Sequence, residues 1–329
     1  VINISRYSVD GTWSLEKTFK IDESDKFPSK CGWKDDHFLC VDSRLVSWGT
    51  IEKAEQFTKE ELLPEGSVSV ASHWDGEAFA VHVVSKKHGD DTIELVRVSL
   101  EGQLLHEPIY VGKGAVNFST NERPRTATHA GSGRSFIIAG SSSEYLRVIT
   151  AHERDGTQLI PMGTLFKTLP HLNNSYLAIG AYEGGVLIAT NGDSTAKEWW
   201  PQPHFYHLSA TGELTTLPDI PLPPKETTRA GITQLAVVAH GAKDGWVAVF
   251  SDDDKANSHL RVVDWKEGNF GEAREVMFSK KGLWAYHPIA IEVAGTRWVG
   301  FRDASDIKKT VVRMLRVDDP ACHYPSLVP

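Results

Sequence analysis

ASHWDGEAFAVHVVS, residues 71–85, reads as two strands folded about an Asp-Gly turn, the second of them an apolar β-forming run that ends in Ser. Five more stretches repeat the phrase: KCGWKDDHFLCVDS (30–43), THAGSGRSFIIAGS (128–141), IGAYEGGVLIATNG (179–192), VAHGAKDGWVAVFSD (238–252) and EVAGTRWVGFRD (292–303). Aligned on the first large apolar residue after the turn, the copies place Phe38, Phe79, Phe136, Leu187, Trp246 and Trp298 at spacings of 41 to 59 residues. A period that long, built from strands alone, predicts an all-β chain folded as a β-propeller.

Between the copies lies a second, differently patterned hairpin: TIELVRVSLEGQLLHEPIYV (92–111), YLRVITAHERDGTQLI (145–160), HFYHLSATGELTTL (204–217) and HLRVVDWKEGNFGEAREVMF (259–278). Two hairpins per repeat make a four-stranded blade. Six clear first hairpins give six blades, and seven candidate third strands make seven the alternative count. INISRYSVDGTWSLEKTF (2–19) is a second hairpin without a first, and TVVRMLRV (310–317) a third strand with little after it. The two termini are therefore expected to close one shared blade, which removes exposed edges. No linker interrupts the chain, so residues 1–329 read as a single domain. Helix is expected only at Thr58–Leu63, where Thr58 and Glu61 have capping-box spacing.

The hydrophobic content of 40%, with ten Trp and thirteen Phe, suffices for a packed core. A net charge of −8 and the absence of any Lys/Arg run longer than two argue against a nucleic-acid partner. No apolar run approaches the ~20 residues of a membrane span. The first residue is Val1, which is expected of a chain whose signal peptide has been removed or whose end has been trimmed.

Cysteine adds a clue to the compartment. Counting outward from a turn at Asp35 and Asp36 sets Lys34 opposite His37, Trp33 opposite Phe38, Gly32 opposite Leu39 and Cys31 opposite Cys40. In such a non-hydrogen-bonded pair the Cα atoms are ~4.5 Å apart, within disulfide range. A Cys31–Cys40 disulfide points to a secreted, cell-surface or periplasmic protein; two free buried cysteines are the alternative.

HWDGEAF (73–79) followed by LVRVSLEG (95–102) resembles the divergent propellers common in secreted bacterial proteins, with their W-D-G-x-x-F strand and R-V-S-x-x-G hairpin. That resemblance covers most of the chain, implies the fold and an extracellular setting, and transfers no catalytic residue.

Motifs for chemistry are scarce. SVDGTW (8–13) resembles the sialidase Asp box but lacks its spacing and occurs once, so it reads as a hairpin turn. H-E-x-x-H, C-x-x-C, G-x-S-x-G and the P-loop are absent. Asp252 and Asp254, with Asp253 between them, invite a calcium ion. Asn257 and Val263 stand where an EF-hand loop has Gly and Glu, however, so a solvated turn is the plainer reading. No cofactor other than that calcium is expected. His204 and His207 fall on opposite faces of a strand and do not share a metal.

Topology is more informative. In a propeller, the segment leading into each first strand and the loop between second and third strands lie on one face, around the channel mouth. The lead-in segments carry Arg125, Arg229, Trp284, Tyr286 and His287, and the insertion at 191–203 carries Trp199 and Trp200. Arginine forks suit carboxylates and exposed Trp suits a sugar ring or apolar group. These residues predict a binding face for a glycan, a peptide or an anionic small molecule. The rival is a glycoside hydrolase or lyase using Asp42, Asp193, Asp252 or Asp303 with His287 as acid or base. A scaffold that docks a protein partner is the third reading.

Overall fold

The computed structural model describes residues 2–7, 13–19, 30–42, 44–50, 52, 58–85, 92–113, 125–129, 134–140, 147–155, 158–166, 177–190, 202–228, 234–279, 285–303 and 311–318. Among them it contains strands, turns and no helix. The chain divides into two compact units, Val1–Phe118 with Arg123–Thr168, and Ser119–Glu122 with Leu169–Pro329.

In the first unit, β1 (Ile2–Tyr7) and β2 (Trp13–Phe19) form a sheet of two. Three four-stranded sheets follow: β3 (Lys30–Lys34), β4 (His37–Asp42), β5 (Leu45–Thr50) and β6 (Thr58–Glu61); β7 (Val68–Trp74), β8 (Phe79–Ser85), β9 (Thr92–Val98) and β10 (Ile109–Lys113); β11 (Arg125–His129), β12 (Arg134–Gly140), β13 (Arg147–Asp155) and β14 (Gln158–Phe166). The second unit holds β15 (Leu177–Tyr182), β16 (Gly185–Thr190), β17 (His204–Ser209) and β18 (Leu214–Thr216) as one sheet. Its next sheet has five strands: β19 (Leu235–Gly241), β20 (Asp244–Asp252), β21 (Ser258–Lys266), and β22 (Asn269–Phe270) and β23 (Arg274–Ser279), which both pair β21. β24 (Ala285–Val293), β25 (Thr296–Asp303) and β26 (Val311–Arg316) make a sheet of three. Every sheet is antiparallel and runs in chain order except that β23 returns to β21, and their succession is the β-propeller arrangement that the repeat predicts.

Three expectations need correction. Among the described residues five sheets are complete blades, not six or seven: the sixth first hairpin, β24–β25, is followed there by β26 alone, and β1–β2 stays a sheet of two. The shared terminal blade is accordingly not formed by strand pairing among the described residues. The capping-box stretch at Thr58 is no helix, because β6 pairs β5 from Trp48↔Thr58 to Leu45↔Glu61. Ladder bonds along a sheet edge outweigh a local signal worth one turn of helix.

Other registers match the sequence reading. The Asp35–Asp36 turn sets Lys34↔His37 through Cys31↔Cys40, and the two cysteines are joined with Cα atoms 4.1 Å apart. Tyr7↔Trp13 closes the β1–β2 hairpin around SVDGTW, whose residues 8–12 lie outside those described.

Side-chain alternation explains how each unit holds together. On β20, Trp246, Ala248 and Phe250 face a core shared with Val299, Phe301 and Leu315 of the three-stranded sheet. Val247 and Val249 face the opposite way, into a core with Leu187 and Phe205 of the preceding blade. A strand buried on both faces requires the continuous apolar run WVAVF. In the first unit Leu39, Val41 and Val46 pack in the same way against Phe79, Val81 and Val96.

Candidate functional site

In the second unit, the segment leading to β19 is fastened to the β20–β21 loop. The Thr227 amide donates to the Asp252 carbonyl over 3.1 Å and the Asp252 amide to the Thr227 carbonyl over 2.9 Å. Next to this bridge Glu226, whose side chain is 6% exposed, accepts from Arg261 Nε (2.7 Å) and from Ser251 Oγ (2.8 Å). His259 is buried beside them, with Nδ1 2.7 Å from Glu275 Oε2 and Nε2 3.4 Å from Asp253 Oδ2. Asp253 accepts the amides of Lys255 and Asn257 and the side-chain amide of Asn257.

Burial pushes the carboxyls of Glu226 and Asp253 upward, and hydrogen bonds outweigh it in both. Arg261 and Ser251 hold Glu226 below the usual carboxylate range, while Asn257, Lys255 and His259 bring Asp253 to about 2. The cluster is thus a charged, hydrogen-bonded clasp between two loops and a blade.

The carboxylates expected to do chemistry on this side also have partners. Asp252 Oδ1 accepts from Ser258 Oγ (2.7 Å), and Asp254 meets Lys225 at 3.3 Å. Asp303, buried at the end of β25, accepts from Arg313 Nε at 2.6 Å. Among the described residues no group of three or more His, Cys, Asp or Glu is arranged to hold a metal ion.

A groove of about 500 Å³ crosses the opposite, turn-bearing ends of β15, β19 and β24. Small residues make room for it: Gly180 and Ala181 on β15, Ala239 on β19, and Ala294 and Gly295 in the β24–β25 turn. Gly180 is required by close approach, since a Cβ there would lie 2.8 Å from the Val237 carbonyl oxygen. His240 and Glu292 are the polar side chains of the groove, and Val238 and Ile291 its larger apolar ones. His240 Nε2 lies 3.3 Å from Glu292 Oε2, which also accepts from Trp246 Nε1 at 3.3 Å. Arg297 lies over the Trp246 ring, 5.7 Å from its centroid, and is bound to Asp264 and Asp318.

Of the other residues singled out from sequence, Asp42 closes β4, Arg125 opens β11, and Tyr286 and His287 stand near the start of β24, next to a register shift between Tyr286 and Ile289. Their side chains lie outside the described residues, as do Asp193, Trp199, Trp200, Arg229 and Trp284 altogether. His204 and His207 go separate ways, to Asp219 and to the Tyr182 hydroxyl. Glu226, His259, Arg261 and Glu275 carried no sequence signal, since Glu226 and Arg261 are 35 residues apart and belong to no motif. The groove did leave a trace, in the small residues near the first hairpin turns.

No protein-family model matches the chain, and no curated protein matches it in sequence. Among solved structures it is similar to a Trypanosoma rangeli sialidase in complex with 2,3-difluorosialic acid, at 10% identity and a TM-score of 0.48, over 96% of this chain and 57% of that one. The chain thus spans little more than half the length of that sialidase. The BP39L lectin from Burkholderia pseudomallei is similar at 14% identity and a TM-score of 0.42, over 90% of this chain and 95% of the lectin. The β-propeller domain of the Trilobed protease from Pyrococcus furiosus gives 9% and 0.44, over 89% and 99%. At such identities the likeness is one of fold alone.

Proposed function

We propose that this chain is a ligand-binding β-propeller whose ligand, a glycan, a peptide or a small molecule, sits in the groove across β15, β19 and β24. The groove itself carries this reading: about 500 Å³ is the volume of a small-molecule site, and two polar side chains, His240 and Glu292, stand among its small residues. Binding is favoured over glycoside hydrolysis or lysis by the partners of Asp252 and Asp303. Ser258 and Arg313 give these two carboxylates a structural part, fastening a loop and a strand. The Cys31–Cys40 bond supports placing the protein in an oxidising compartment, outside the cytosol.

A second reading puts an anionic ligand at the lead-in ends of the second unit's first strands, near Arg229, Trp199, Trp200, Trp284, Tyr286 and His287. The irregular register of β24 beside Tyr286 favours it, because bulges re-aim side chains next to sites.

Thermal-shift titration with oligosaccharides, short peptides and organic acids separates the two. Ile291→Trp, at a side chain 41% exposed, fills the groove without burying new surface in the core. The groove reading expects this variant to lose the shift and Tyr286→Ala to keep it. The reverse outcome moves the site to the lead-in ends.

A further inference from the structure

The sheet of β24, β25 and β26 leaves part of one face open to water. Val299, Phe301, Leu315 and Val317 turn one way, into the core shared with β20. Alternation turns Trp298, Gly300, Met314 and Arg316 the other way, together with Ile289, Ile291 and Val293 of β24. The register sets them in rows, Ile289↔Gly300↔Met314 and Ile291↔Trp298↔Arg316. Gly300 flattens the first row: a Cβ there would lie 2.5 Å from Met314 Sδ and 2.9 Å from Ile289 Cγ1, so these two side chains close over it. Ile289, Ile291 and Val293 are 53%, 41% and 46% exposed. Three branched apolar side chains in a line on one strand, open to water, mark an interaction surface. Of these residues only Ile291 also lines the groove, so this face stands apart from the groove reading.

Arg316 indicates what the surface lacks. Its Nε is shut away from solvent without a hydrogen-bond partner, and no ion pair joins its guanidinium to a carboxylate among the described residues. A buried donor without an acceptor is a standing cost that an arriving carboxylate removes. A second copy of the same face does not bring one: the acids of this sheet among the described residues, Glu292 and Asp303, lie on its other face, bound to Trp246 and Arg313. The exposed row offers side chains only, so a partner must satisfy its own main-chain hydrogen bonds, as a helix does. We propose that this face docks an amphipathic helix of a partner protein, with the helix's apolar stripe on Ile289, Ile291 and Val293 and a carboxylate at the border of that stripe on Arg316.

Fluorescence anisotropy on the full chain tests this with two labelled, end-capped peptides: Leu-Ala-Lys-Leu-Leu-Lys-Glu repeated twice, and the same with Gln for Glu. Both carry one leucine stripe when helical, and the glutamate stands at its border. The chain's net charge of −8 favours the more cationic Gln peptide, so a preference for Glu is local in origin. The Glu peptide is expected to bind roughly tenfold more tightly, the value of one charge-assisted hydrogen bond. Arg316→Gln is expected to erase that ratio. Ile289→Glu and Val293→Glu are expected to abolish binding of both peptides while melting within about 2 °C of the parent, as exposed substitutions do. Equal binding of the two peptides, an unaltered ratio in Arg316→Gln, or no binding of either overturns the proposal. So does a larger fall in melting temperature, which means that the face is covered within the chain. A dimer in light scattering that Val293→Glu dissociates overturns it as well, because a second copy then covers the face.

Discussion

The guanidinium of Arg97 grips both oxygens of Asp75 inside the second blade: Nε lies 2.9 Å from Oδ2, and NH2 3.3 Å from Oδ1, with the side chains 3% and 1% exposed. Asp75 also accepts the amides of Glu77 and Ala78, so one carboxylate both shapes the turn before β8 and ties it to β9. Arg97→Met strands that carboxylate away from water and is expected to cost ~3–5 kcal/mol in urea unfolding. The double variant with Asp75→Asn should cost less than the two single changes summed, because the turn amides keep an acceptor and no buried charge is left alone.

Acid should destabilise the chain in two stages. Burial depresses the His73 imidazole from 6.5 to about 4, with Asp75 opposing. The unfolded imidazole takes a proton below ~6.5 while the folded one stays neutral, so stability is full above that pH and declines toward 4. Glu226, Asp75 and Asp253 are held below the usual carboxylate range. Unfolded carboxyls protonate near pH 4, and the stability these three contribute above that pH is lost as the pH falls through their folded values, which for Asp253 is about 2. Melting temperatures recorded from about pH 8 to about pH 2 check both stages, and His73→Gln should flatten the upper one.

Removing the cross-strand bond by Cys31→Ser with Cys40→Ser is expected to cost ~2–3 kcal/mol, the loop-closure value for a short loop. Hydrogen exchange should report the loss first in β3 and β4. Reductant should lower the melting temperature of the parent chain toward that of the variant.

Gly102 sits under Trp48, with φ of +82° and its missing Cβ position 1.8 Å from the indole. An alanine there demands a left-handed backbone and a displaced ring at once. Gly102→Ala is expected to destabilise the first unit by ~1–3 kcal/mol, and tryptophan fluorescence should show Trp48 shifted. Gly295→Ala, at a positive φ with open space around it, isolates the backbone share of that cost.

What could be read from sequence was whatever repeats or counts locally. The Asp35–Asp36 turn set the β3–β4 register residue by residue, and the apolar run after each first turn marked a strand such as β20. The blade count failed because a hairpin in the sequence does not say how many strands will join it: among the described residues β24–β25 gains only β26. Thr58 misled because a capping box describes one turn of chain and is blind to the edge of β5 beside it. The clasp around Glu226 was illegible for a related reason. Its members come from the lead-in segment, β20, β21 and β23, and only folding brings a lone Glu, His and Arg together. The groove's small residues were visible as residues, but a cavity has no sequence pattern of its own.

The Cys31–Cys40 bond lies within a single hairpin, its ends nine residues apart. Closing so short a loop is fast, and its partners need no other part of the fold to find each other. Both thiols leave the ribosome, or cross a membrane from the N-terminal end, while Cys322 is still far behind. The pairing is therefore a local choice: nine residues separate Cys31 from Cys40, whereas Cys322 could reach either of them only by closing a far longer and entropically costlier loop.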